Sequence, residues 1–348
     1  MIKLYSVQYL RAVAALLVVV AHAFSYQIGV DSPLVVLAGE LGVTLFFAIS
    51  GFIMVHVTGA GSFSAPQFLW RRIVRIVPLY WLITALAASL AVIAPALFKT
   101  TSFTWPHFIQ SLLFIAHEAP NRGGTSPLLS LGWTLNYEAF FYVVFAALAA
   151  FAARTRIALI STFFIALWLL GLLLPITDPV AQFYLNLSPL AFAAGCGIAG
   201  LFQSRKLLAS SAAPAVIGAG SVAGLVAIVL SANLADPTLR FFGEIALACG
   251  VLAWMLRRDS GQNWSRLLGL LGNASYAIYL SHMFVIAGIV GVVSRLLAVE
   301  NPVLLTVLSL CCAVLAVIVG VVVHQQIEKP LLSMVARRRP PPLVLWEA

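Results

Sequence analysis

The chain has 348 residues, of which 62% are hydrophobic and only 9% charged, and a formal net charge of +9; its mean hydropathy is +1.04. So few charges cannot cover the surface of a water-soluble globule, which excludes that class. The positive balance would suit nucleic acid, but the basic residues sit in short breaks between apolar runs, with no aromatic and basic platform, so no nucleic-acid partner is expected.

The apolar runs are long enough to cross a bilayer as helices and lack the alternation of a transmembrane barrel. About ten spans are predicted, near 7–28, 36–57, 74–97, 129–151, 157–174, 183–202, 213–232, 239–257, 273–295 and 302–325. The fold class is therefore all-α, a polytopic membrane protein. With the N-terminus inside, the inner segments carry Lys3; Arg71, Arg72 and Arg75; Arg154 and Arg156; Arg205 and Lys206; Arg257, Arg258 and Arg266; and Lys329 with Arg337 to Arg339. The outer segments carry only Lys99, Arg122, Arg240 and Arg295. That alternation places both termini in the cytoplasm. Residues 1–332 read as one membrane domain and 333–348 as a basic, Pro-rich, lipid-facing tail. Ala21-His22-Ala23 mimics a signal-peptide cleavage site, but Arg11 interrupts the apolar core such a peptide needs.

In the first span Arg11 and His22 are eleven positions apart. That is close to three helical turns, so they share a face with a rise of about 16 Å. A charge inside a membrane costs at least about 2.5–3.5 kcal/mol, so its default reading is functional. His22 reads either as a general base for a sugar hydroxyl or as a histidine bonded to a neighbouring carbonyl. The second span holds Gly42 to Phe52, small residues suited to close helix packing.

The third span opens with Arg71, Arg72 and Arg75. Arg72 and Arg75 are neighbours on a helix surface, and at an inner helix start they suit a nucleotide phosphate; orientation signals or lipid contacts are the other reading. Pro78 suggests a break. The longest loop, 98–128, faces outside and holds Trp105, His107, His117 and Glu118. It is expected to dip into the interface or cap a cavity.

The fourth span carries Trp133, Asn136 and Glu138. Counted from the outer ends of their spans, Glu138 and His22 agree in depth within about 5 Å, so the carboxylate is expected to orient the imidazole, unless it joins helices instead. In the ninth span Tyr276 and Tyr279 precede His282 at helical spacing, as channel lining or interhelical bonds, with His282 in the inner half. Glu328-Lys329-Pro330 closes the last span as an end cap or a binding element. Cys196, Cys249, Cys311 and Cys312 fall in apolar segments and read as core residues, with no metal site.

Taken together and in this order, these pieces resemble the acyltransferase 3 family of integral membrane acyltransferases, over about residues 4–332. The residues behind that are Arg11 with His22, Arg72-Ile-Val-Arg75, Trp133 to Glu138, Tyr276 to His282 and Glu328 to Pro330. Ser6 to Gln8, Ser50 to Met54, Arg75 to Trp81 and Gly132 to Asn136 are similar to the ExoZ-like exopolysaccharide acetyltransferases. The resemblance implies acetyl transfer from cytoplasmic acetyl-CoA, as co-substrate, to a hydroxyl of a saccharide or lipid-linked oligosaccharide at a bacterial inner membrane. It implies that Arg72 and Arg75 hold the CoA phosphates and that Arg11 lines the path of the pantetheine arm. His22 and Glu138 are then the catalytic pair, and Trp133, Asn136, Tyr276, Tyr279 and His282 line the substrate path. Many relatives have an aspartate where this chain has Thr44, so no role for that carboxylate carries over. A transporter or flippase for a glycan or its lipid carrier shares the buried charges and is the alternative.

The charge alternation makes the topology testable. A reporter fused after Arg156 is expected to read cytoplasm and one placed within 98–128 to read outside; a cytoplasmic 98–128 reporter would overturn the span count.

Overall fold

A computed structural model describes residues 4–28, 32–93, 101–120, 123–205, 210–296 and 301–336. Lys3, Lys99, Arg122, Lys206, Arg337 to Arg339 and most of the 333–348 tail lie outside the described residues. In chain order the helices are α1 (Tyr5–Ile28), α2 (Pro33–Thr58), α3 (Ala65–Ile93), α4 (Trp105–Leu112), α5 (Trp133–Ala147), α6 (Ala153–Leu173), α7 (Pro179–Tyr184) and α8 (Pro189–Gln203). They continue with α9 (Ala213–Leu234), α10 (Pro237–Arg257), α11 (Arg266–Leu296), α12 (Pro302–Val323) and α13 (Lys329–Ala336), with a π-helical turn, His324–Glu328, between the last two.

Among the described residues nine helices are long and apolar enough to cross a membrane. The protein is a multi-pass, all-α membrane protein. The difference from the predicted ten lies in the fourth span. There the helix has 15 residues, behind a 3-10 turn at Ser130–Gly132. At about 1.5 Å per residue it falls short of the roughly 30 Å of hydrocarbon. The third span also differs. It begins at Ala65, well before residue 74, and runs unbroken through Pro78. Arg71, Arg72 and Arg75 therefore lie in the second and third turns of α3, not at its start. The expected help from the helix dipole does not apply, because that field fades within the first turn.

The chain divides into two compact units, Met1–Ile49 with Leu208–Ala348, and Ser50–Leu207, the division falling inside α2. In the first unit α1 packs on α11 and α12, α11 on α12, and α9 on α10. Its core is built from small residues: Ala12, Ala15, Val19 and Ala23 of α1 meet Ala274 and Ile278 of α11 and Cys312, Ala313 and Ala316 of α12. Lipid tails are as apolar as leucine, so close van der Waals contact between small side chains supplies the association. The closest approach is at Gly272, where a Cβ would overlap the carbonyl oxygen of Gln8. Gly320 of α12 presses in the same way on Ile278, its Cβ position 2.5 Å from that residue's Cα.

In the second unit α6 packs on α8 and α3 on α4 and α5. At Gly51 a Cβ would overlap the Phe192 carbonyl oxygen, which bears out the close packing expected of the Gly42 to Phe52 stretch. Arg156, read from sequence as an inner orientation charge, is completely buried. Its guanidinium donates to Phe151 O at 3.1 Å, Thr58 Oγ1 at 3.2 Å and Gly59 O at 3.4 Å, and stands 4.6 Å from the Phe63 ring centre. It joins the ends of α2 and α6. All four cysteines are free; Cys196 and Cys312 are buried, whereas Cys311 is exposed.

Gly272→Ala is expected to lower the thermal unfolding midpoint, since the added carbon must push α1 and α11 apart at a cost of about 1–3 kcal/mol. Gly288→Ala, on the same helix with nothing within 4 Å of its Cβ position, is the control and should be neutral or slightly stabilising. Equal midpoints for the two would refute the close approach.

Candidate active site

α1 is one continuous helix, so Arg11 and His22 are carried on a single rigid element, both half-buried. The His22 ring is fixed from two sides. Its Nδ1 is 2.9 Å from the Val18 carbonyl and 3.3 Å from Nε2 of His282. His282 is fully buried, and its own Nδ1 is 2.7 Å from the Tyr279 carbonyl. A carbonyl only accepts, so each Nδ1 carries a hydrogen. Neutral His282 then presents the lone pair of Nε2 toward His22 Nδ1–H, and the remaining nitrogen of His22, Nε2, bears a lone pair. This is the tautomer a general base needs.

His282 does not lie in the inner half of its span, as the predicted boundaries imply. α11 begins at Arg266, seven residues before the predicted start, so His282 lies near mid-helix and level with His22. Tyr279, buried, packs its ring 5.9 Å from His282 and 6.0 Å from Phe46; Tyr276 is half-buried on the same helix.

A second polar group in this unit is one that sequence reasoning missed. Thr44 donates to Glu244 Oε2 at 3.0 Å, and Arg240 reaches Glu244 at 3.3 Å and Glu40 at 2.5 Å. Glu244 is 1% exposed. A carboxylate thus stands at Thr44, supplied by α10. The signal is present in the sequence as Arg240 and Glu244 four apart in an apolar helix.

In the second unit Glu138 accepts from Ser50 Oγ at 3.1 Å and from the Tyr142 hydroxyl. Tyr142 also feels the charge of Arg72. Arg72 lies 6.0 Å from the Phe68 ring centre, and Arg75 follows it one turn on. Glu138 is thus held within its own unit by Ser50 and Tyr142, and His22 within the other by Val18 and His282. Trp133 packs edge-on to Tyr137 at 5.9 Å, and Asn136 is buried.

The 98–128 segment forms its own polar knot. Ser111 accepts from the Leu128 amide at 2.8 Å, and its carbonyl takes the Tyr80 hydroxyl at 3.1 Å. His117 Nδ1 donates to the Ile115 carbonyl at 2.7 Å, which leaves its Nε2 to accept from His107 Nδ1 at 2.6 Å. Trp105, Ile109 and Leu113 stay exposed on the other face of α4. α4 is thus amphipathic.

Residues 4–323 match the family described as an acyltransferase domain, Acyl_transf_3. The chain belongs to the acyltransferase 3 family. This membrane acyltransferase is 32% identical over 302 residues to the exopolysaccharide production protein ExoZ of Rhizobium meliloti (strain 1021), covering 86% of this chain and 92% of that one. It is 31% identical over 167 residues to protein 2 in the picA locus of Rhizobium radiobacter, covering 43% of this chain and 85% of that protein. No solved structure matches the acyltransferase significantly.

Burial first, and the neighbouring His117 second, push His107 down from 6.5 to about 4. An unfolded chain takes up this proton near 6.5 and the folded one near 4, so stability from the pair is full above that window and declines as pH falls through it. The thermal midpoint of the purified protein should therefore drop on acidification, and His107→Gln should flatten the drop. An identical pH profile for the variant would refute this.

Proposed function

We propose that this enzyme transfers an acetyl group from acetyl-CoA to a hydroxyl of a surface or lipid-linked glycan of the exopolysaccharide type, at a bacterial inner membrane. The observation that carries the reading is the tautomer of His22, fixed by Val18 and His282 on the helix that also carries Arg11. The likeness to an exopolysaccharide production protein along most of both chains supports the acceptor class.

His22 Nε2 takes the proton of the acceptor hydroxyl as its oxygen attacks the thioester carbonyl. The C–S bond breaks, the CoA sulfur leaves as thiolate, and the imidazolium returns the proton to it. Val18 O holds the His22 Nδ1–H throughout, and His282 keeps the ring in place. Both are positioning groups, as the third member of a catalytic triad is. Arg72 and Arg75, side by side on α3, bind the phosphates of the donor as paired forks. Glu138 acts in the same unit, holding the Tyr142 hydroxyl. A glycan flippase would have no use for this base or for CoA.

His22→Gln should cut transfer by about 10²–10⁴-fold while leaving CoA binding near wild type. Arg72→Ala with Arg75→Ala should instead weaken CoA binding by about 1.5–3 kcal/mol for each charged hydrogen bond to phosphate that is removed. Mass spectrometry of cell-surface polysaccharide reads the first and titration of the purified protein with acetyl-CoA the second. Near-normal acetylation by His22→Gln, or no acetyl-sized difference on deleting the gene, would defeat the proposal.

A further inference from the structure

Among the described residues of the first unit, the buried side-chain atoms with no hydrogen-bond partner are Arg240 Nη2, which is ion-paired with Glu40, and four atoms on three neighbouring helical segments: Gln8 Nε2 and Oε1, Ser275 Oγ and His324 Nε2. Their residues are 1%, 0% and 4% exposed. Buried polar groups are nearly always paired, so each calls for an explanation, and the backbone contacts bring them to one level. Gly272 meets the Gln8 backbone, and Ser275 is one turn further along α11. Gly320 meets Ile278, and the chain reverses between α11 and α12. Four residues on from Gly320 and three back from Ile278 therefore run in the same direction, by about 6 Å and about 4.5 Å. Those steps end at His324 and Ser275.

The group is built, not incidental. His324 and Glu328 are held together at 2.6 Å by the π-helical turn that separates α12 from α13, and such turns recur at functional sites. Nδ1–H of His324 is given to the Glu328 carboxylate, which leaves Nε2 as the ring nitrogen free to meet a ligand. Gln8 offers two N–H groups and a carbonyl, and Ser275 a hydroxyl. Together they call for donors and acceptors on an uncharged ligand; a phosphate would meet the Glu328 carboxylate. One turn before Gln8, a cavity of about 220 Å³ lies between Tyr5, Trp254, Arg258 and Trp264. Toward the other end, seven residues of α11, about 10 Å, separate Ser275 from His282.

We propose that Gln8, Ser275 and the His324–Glu328 pair form the subsite for the amide-bearing pantetheine arm of the thioester donor. The assignment rests on the donor reading given above and adds residues to it. Two amides and a hydroxyl on a neutral chain meet the four unpartnered atoms, and in the donor that chain ends in the thioester on which His22 acts. Bound water is the competing occupant.

Purified full-length protein titrated with acetyl-CoA and with adenosine 3′,5′-bisphosphate, which lacks the arm, separates the possibilities. Gln8→Met and Ser275→Ala should each weaken acetyl-CoA about tenfold and leave the bisphosphate unchanged, with no loss of thermal midpoint. If the sites hold only water, the variants bind acetyl-CoA as the wild type does, and the subsite is overturned while the donor reading stands. No acetyl-CoA binding by the wild type would overturn the donor reading itself, and the subsite with it. Ser275→Ala, which removes one hydroxyl, carries the test alone if Gln8→Met fails to insert.

Discussion

A polar side chain placed in hydrocarbon has to find its partner inside the protein, because no water is there to accept it. That constraint organises this molecule. Polar residues along its spans are drawn to one another: His22 to His282, Thr44 and Arg240 to Glu244, Glu138 to Ser50 and Tyr142, His324 to Glu328, Arg156 to a ring of carbonyls. These ties are also the means by which helices of nearly featureless apolar surface acquire a register.

The ties need the helices close together, and small residues provide that. α1 presents alanines to α11 and α12, and Gly272 lets the backbone of α11 rest on that of α1 at Gln8. With the backbones touching there, His22 and His282 meet further along the same pair of helices. The same closeness fixes ring tautomers. The Val18 and Tyr279 carbonyls sit where they can only accept, so the nitrogen that holds a proton and the nitrogen that holds a lone pair are decided by the backbone.

Two kinds of buried polar group can be told apart on this basis. Arg156 is surrounded by carbonyl and hydroxyl acceptors and enclosed by Phe63 and Phe145; it is a structural rivet, although its sequence position looks like an orientation charge. Arg156 leaves only Nε without a partner, whereas Gln8 and Ser275, equally buried, have no partner for any side-chain polar atom and His324 has none for Nε2.

The all-α membrane class, the positions of most spans, and Arg11 with His22 on one helix are legible in the amino-acid order alone, because length, hydropathy and a 3.6-residue period are local properties. So is the arginine pair of α3, one turn apart. The starts of α3 and α11 are not, since apolar character fades gradually at a helix end while the backbone bonds continue; with those starts go the dipole argument for Arg72 and the depth of His282. The partners come from the packing of helices in three dimensions. Nothing local tells His22 that its ring will be steadied by a residue 260 positions away, or Thr44 that a carboxylate will reach it from α10. Those pairings depend on which faces of which helices meet, and that is set by the shape of small residues across the interface.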